Sequence, residues 1–268
     1  MIKHFLNDKP TKLFIIFACF FVANALIAEC IGGKLFLLEQ MVGLPVHSFT
    51  VFGEKGLSLT LTAGVLLWPL EFVMTDVVNE YYGPKAVKRI SYIAVCMISY
   101  AFIMFFVAMQ VPASDFWRTS KVTDGVPDMQ NAFVQIFGQG MWIIFASLTA
   151  FLVSQLVDVT VFHHIKRRTG NKHVWLRATG STLVSQLVDS FIVLFIAFKV
   201  GQGWTWQRVL AICVVNYTYK AIVAIALTPL IYILEHRINK FLGHETAERM
   251  KAEAMGQEHP LVAPINVD

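Results

Sequence analysis

Two copies of one heptapeptide stand 31 positions apart in this chain: Leu152-Val153-Ser154-Gln155-Leu156-Val157-Asp158 and Leu183-Val184-Ser185-Gln186-Leu187-Val188-Asp189. On a helix, positions three and four apart share a face, so each copy sets a serine, a glutamine and an aspartate in one polar stripe. Such a stripe can donate and accept hydrogen bonds, and its carboxylate can hold a proton or meet a cation. The plainer role of its Ser and Gln is hydrogen bonding between helices. Other charges stand in equally apolar surroundings: Glu71, Asp76 and Glu80, with Asp76, Asn79 and Glu80 on one helical face, and Lys220. A charge in hydrocarbon costs about 2.5–3.5 kcal/mol on insertion scales, so such residues are normally paired, turned to a cavity and functional.

A membrane is the solvent that positions them. Of 268 residues, 56% are hydrophobic and 15% charged, and the mean hydropathy is +0.59, which leaves a soluble domain too few polar residues to wet its surface. Apolar runs at about 13–33, 57–79, 90–110, 141–162, 180–198 and 207–234 predict an all-α membrane protein with six transmembrane helices. The expected organisation is a cytoplasmic tail over 1–12, a six-helix transporter domain over 13–235 and a cytoplasmic, partly disordered tail over 236–268. Fifteen Lys and Arg residues fall on the two tails and the loops after spans 2 and 4, against six on the other side. The positive-inside rule then puts both termini in the cytoplasm, in the inner membrane of the cell. The net charge of +4 follows from that topology and needs no nucleic-acid partner.

Local patterns add detail. Residues 48–52 and 57–61 alternate around Gly53-Glu54-Lys55-Gly56, which suits a short β-hairpin in the outer loop between spans 1 and 2. Pro69 is expected to kink span 2. The segment 111–140 is the longest polar loop, a lid or a linker; a helical stretch over 245–254 opens the C-terminal tail, which ends with Pro260 and Pro264. The basic start, apolar stretch and Ala23-Asn24-Ala25 triplet also fit a cleaved signal peptide. Cys19, Cys30, Cys96 and Cys213 form no CxxC pair and no ligand spacing, so they read as small packing residues; no cofactor or metal is expected.

Span directions place Asp76, Glu80 and Asp158 in the cytoplasmic half and Asp189 and Lys220 near the midplane, one polar patch in which Lys220 has Asp189 or Asp158 as a salt-bridge partner or serves a ligand. A carboxylate or an amide in such a patch can accept the paired N–H donors of a purine-like base, with aromatic rings for stacking. Trp175 and Arg177, just before span 5, suit an interfacial anchor.

The motifs TDxxNExYG over 75–83 and WLRxxxSTxxSQxxDS over 175–190, with Ser147–Phe162 carrying Gln155 and Asp158, resemble those of the queuosine precursor transporter family, also called the vitamin uptake transporter family. The resemblance covers roughly 13–235 and extends to Asn24 and Ala28, which match that family's Asn-x-x-x-Ala pattern. It implies a protein that is no enzyme and that imports 7-deazaguanine precursors of queuosine, 7-cyano-7-deazaguanine and its aminomethyl form, for tRNA modification. The substrate-binding candidates are Asn24, Asp76, Asn79, Glu80, Gln155, Asp158, Ser185, Gln186, Asp189 and Lys220. Gln155, Asp158, Gln186 and Asp189 are assigned to the base, while Asp76, Asn79 and Glu80 shape the cytoplasmic side. Partners are the deazapurine and membrane lipid, with a homo-oligomer left open. The alternative is a substrate-binding membrane subunit for a vitamin or purine that needs a separate ATP-driven partner. An intramembrane enzyme is remoter: Leu-Val precedes both repeat aspartates, where an aspartyl protease has Tyr-Asp and Gly-x-Gly-Asp, and no phosphate loop, HExxH or GxSxG occurs.

Overall fold

The computed structural model describes residues 8–138, 141–170 and 174–256. Five helical stretches are long and apolar enough to cross a membrane: α1 (Lys9–Ile31), α2 (Trp68–Gln110), α3 (Met141–Thr169), α4 (Val174–Leu194, with a π-helical continuation over Phe195–Val200) and α5 (Trp206–Ala226). In lipid an apolar run satisfies its own backbone only as helix, and the ends carry the local signals. Asp8 caps α1 by accepting from the Thr11 N–H, with Pro10 in the first turn.

Two expectations about the second span are corrected. The chain from 57 to 66 is not α-helix: β3 (Glu54–Leu57) pairs with β2 (Phe49–Val51), and β4 (Thr60–Thr62) pairs with β1 (Leu35–Leu37), both antiparallel, before a short 3₁₀ helix over Ala63–Leu66. The hairpin is therefore present on a tighter turn than expected, with Phe52 and Gly53 at φ 51° and 82°, the positive pair that two-residue hairpin loops require. Pro69 consequently falls in the first turn of α2, where no backbone N–H has to be donated, and it kinks nothing.

The break lies further on, at Gly83 (φ 77°, ψ 176°), followed by Pro84. The chain reverses there. Trp68 packs on Phe151 and Glu80 contacts Lys166, so the arm 68–82 runs alongside α3. The arm 84–110 returns, because Phe105 meets Phe137 and Met109 accepts a bond from Gln130, just ahead of the start of α3. At 1.5 Å per residue the first arm is about 22 Å long, short of the roughly 30 Å hydrocarbon core, and the five stretches take both arms together as one of 43 residues. A Cβ at Gly83 would lie 3.2–3.5 Å from Ala254 in a backbone region that is nearly glycine-only, so Gly83→Ala is expected to cost about 1–3 kcal/mol and to lower the thermal unfolding temperature in detergent. An unchanged temperature would show that the reversal does not need this glycine.

The expected last span, 207–234, is two helices, α5 and α6 (Thr228–Leu242), parted at Leu227 ahead of Pro229. After Gly243, α7 (His244–Ala254) folds back, and its Ala247 and Met250 pack with Val77, Tyr81, Ile238 and Leu242. Lys251 of α7 pairs with Glu235 at 2.7 Å and Glu248 at 3.2 Å. Burial opposes its charge, but the hydrogen bond and charge of Glu235, with those of Glu248, outweigh that and hold the ammonium above its ordinary pKa. The polar segment 111–140 carries two short helices, Asp115–Arg118 and Met129–Phe137. The end of the C-terminal tail, 257–268, and residues 1–7 lie outside the described residues.

Candidate functional site

The two repeat copies face one another. Asp158 Oδ1 on α3 accepts from Ser185 Oγ on α4 at 3.1 Å, and Ser154, Gln155, Asp158, Ser185, Gln186 and Asp189 are all buried. The first arm of α2 completes the group: Thr75 Oγ1 donates to Gln155 Oε1 at 3.3 Å, and Asp76, Asn79 and Glu80 are buried beside it. Asn24 of α1 is tied down, donating through Nδ2 to Glu71 Oε2 at 2.8 Å and to the Leu67 carbonyl at 3.1 Å.

Three ion pairs on two acids organise the charges. Lys220 Nζ lies 2.5 Å from Asp189 Oδ2, which selects Asp189 over Asp158 as its partner. Glu80 holds two cations, Arg177 at 2.8 Å and Lys166 at 3.1 Å, both with side chains 1% exposed. Lys166 also donates to the Glu80 carbonyl and Arg177 to the Gly170 carbonyl. This corrects the reading of Arg177 as an interfacial anchor and of Lys166 as a loop charge. Their spacing carries the signal: Asp158, Phe162 and Lys166 recur every four residues on α3, as do Arg177, Ser181, Ser185 and Asp189 on α4, and each set makes one helical face.

The polar interior opens unequally. On the side of the β-strands lies a cavity of about 340 Å³, lined by Glu29, Trp68, Asp189, Ser190, Asn216 and Lys220 among others. That is within the range of about 300–1,000 Å³ for small-molecule sites. A separate crevice of about 30 Å³ shares Val65, Trp68 and Lys220 with this cavity and has Gln186 and Asp76 in its lining. Beyond Asp76, a space of about 10 Å³ touches Glu80, Tyr81 and Glu235, beneath α7. Of the sequence candidates, Asp189 and Lys220 line the cavity, Gln186 and Asp76 line the crevice, and Asn24, Asn79, Gln155, Asp158 and Ser185 are buried around them. Glu29, which accepts from the Ser147 hydroxyl, and Asn216 were not among the candidates. Glu29 directly follows Ala28 and lies one turn beyond Ala25, and only the fold brings it to Asp189.

A family model described as putative vitamin uptake transporter matches residues 62–234. The chain belongs to the putative vitamin uptake transporter family. The family match spans every residue from Asp76 to Lys220 that carries the ion pairs, and it leaves out α1, with Asn24 and Glu29, and α7. A protein of Bacillus subtilis (strain 168) named "Probable queuosine precursor transporter" is 33% identical over 126 residues, 46% of this chain and 50% of that relative, so the match spans about half of the relative's length. No solved structure matches the chain. Family membership and the apolar helices together make this a multi-pass membrane protein of a transporter family that takes a small-molecule substrate.

Proposed function

We propose that the protein imports 7-deazaguanine precursors of queuosine, 7-cyano-7-deazaguanine and its aminomethyl form, across the inner membrane. The two arms of α2 count as separate crossings, giving six, with the short first arm bedded among its neighbours. Both termini are cytoplasmic by the distribution of basic residues, so the 340 Å³ cavity faces outward.

The observation that carries this reading is the Asp189–Lys220 pair on the cavity wall. A guanine-type edge presents two adjacent N–H donors beside one carbonyl acceptor. A carboxylate next to an ammonium is its complement: Asp189 accepts from N1–H and N2–H while Lys220 donates to the carbonyl oxygen. The pair is also neutral together, which lowers its cost in the membrane. Glu29 supplies a second acid for the cation of the aminomethyl form, and Trp68 offers a ring face. Gln186 stands below the pair on the way inward, Gln155, Asp158 and Ser185 support it, Asp76, Asn79 and Glu80 shape the cytoplasmic side, and Asn24 holds Glu71.

The reading is tested by supplying 7-cyano-7-deazaguanine to cells unable to make it and measuring queuosine in their tRNA. This chain is expected to restore the modification and Lys220→Met to fail; restoration by both would remove the pair from recognition. In competition, a 7-deazapurine lacking the 2-amino group is expected to bind about 5- to 150-fold more weakly than 7-deazaguanine, because it leaves a buried carboxylate oxygen unsatisfied at about 1–3 kcal/mol. Equal competition would exclude the proposed orientation.

A further inference from the structure

Among the described residues, two buried acids, Asp76 and Asp158, form no ion pair. Asp158 accepts from Ser185 through Oδ1 and has the Ser181 hydroxyl beside it, while its Oδ2 makes no hydrogen bond of ordinary geometry among the described residues, and neither does Oδ1 of Asp76. The negative charges of Asp158 and Glu80 bear on Asp76, and Arg177 opposes them. Glu80 alone pairs with the buried cations Lys166 and Arg177, so with all groups ionised these three acids and two cations carry one negative charge in excess.

The surrounding charges do not supply the missing cation. Lys220, beside the crevice, is matched by Asp189, and Lys251 of α7 by Glu235, with Glu248 a third exposed at the rim. Glu71 lies in the first turn of α2, where the helix N-terminus favours an anion, and holds the Asn24 amide. Tyr81 and Tyr219, which face the same spaces, are neutral phenols near pH 7. An excess buried charge is expensive in a membrane, so a monovalent cation belongs to this pair.

Two independent observations mark the spot as a site. Gln186, 2% exposed, lines the crevice together with Asp76, and its Nε2 has no partner; Asn79, 1% exposed and one turn from Asp76, has none at Oδ1 or Nδ2. The crevice of about 30 Å³ has room for two or three waters, at about 10–15 Å³ each by this measure, and none for a bicyclic base. Among the described residues of this cluster, and leaving aside the Glu80 oxygen that meets Lys166, three oxygens lack a partner, on Asp76, Asn79 and Asp158, beside the unpartnered amide nitrogens of Asn79, Gln155 and Gln186. That is too few oxygens, and too many N–H donors, for sodium.

We propose that Asp76 and Asp158 share one proton, taken from water in the crevice below Lys220 and given up to water beneath α7, and that this proton is the coupling ion of import. The only bond made and broken is the carboxyl O–H. The coupling role rests on the import reading above; the shared proton does not.

Infrared difference spectra of the purified protein across a pH titration are expected to contain the C=O stretch of a protonated carboxylic acid, lost in both Asp76→Asn and Asp158→Asn. In proteoliposomes, an inward gradient of one pH unit is expected to sustain about tenfold accumulation of 7-cyano-7-deazaguanine with lumenal acidification, falling to no accumulation in either variant. Absence of the band from the wild type, or accumulation driven by a sodium gradient and indifferent to pH, overturns the proposal. A band lost in both variants without any cargo uptake upholds the shared proton and sinks the cargo reading instead.

Discussion

Asp189→Ala is expected to abolish uptake of 7-cyano-7-deazaguanine, by about 100-fold or more, while the protein still inserts in the membrane. Two losses combine. The cavity loses the carboxylate proposed to accept both N–H donors of the base, and charge-assisted hydrogen bonds of this kind contribute about 1.5–3 kcal/mol each. Lys220, whose ammonium sits 2.5 Å from that carboxylate, also loses its counter-ion inside the membrane. The comparison that separates these is Asp189→Asn: the amide keeps the volume and one acceptor but turns N–H groups toward the donors of the base. Uptake should be lost there as well, whereas Asp189→Glu should retain a measurable part. Full uptake by Asp189→Ala would remove this residue from the site.

Glu80→Ala is expected to have the largest effect on stability. It strips one carboxylate from two cations, Lys166 at 3.1 Å and Arg177 at 2.8 Å, both with side chains 1% exposed. Removing one partner of a buried ionic group costs about 3–5 kcal/mol, because the remaining charges lose their compensation but stay buried. The protein should accumulate poorly and unfold at a lower temperature in detergent. The double variant Glu80→Ala with Lys166→Met should be more stable than Glu80→Ala alone, since one of the stranded cations is gone. If the single variant is as stable as the wild type, Glu80 does not hold this end of the bundle together.

The sequence made the costly residues visible because a membrane makes them costly. A lone Lys220 in an apolar run predicts a partner, and Asp189 on the facing helix is that partner. The repeated Ser-Gln-Asp stripe likewise reads as a buried polar face, and both copies are buried. Lys166 and Arg177 were hidden by the rule that counts basic residues near helix ends as loop charge; only their spacing in steps of four from Asp158 and Asp189, eight and twelve residues, places them on the inward faces. The alternation over 57–61 reads as a strand paired with 48–52, and the true partner of Thr60–Thr62, Leu35–Leu37, was hidden because it is remote in sequence. The packing of α7 rests on two apolar positions, Ala247 and Met250, in an otherwise polar stretch, too faint a pattern to distinguish from a solvated tail. The cavity has residues from α1, α2, α3, α4, α5 and the strands, so no single segment announces it.

Uptake of radiolabelled 7-cyano-7-deazaguanine by proteoliposomes containing the purified chain alone tests the central claim most directly. The expected result is saturable uptake, blocked by unlabelled 7-deazaguanine and lost in Asp189→Ala. Cargo that binds the chain yet enters the vesicles no faster than it enters protein-free ones would contradict it.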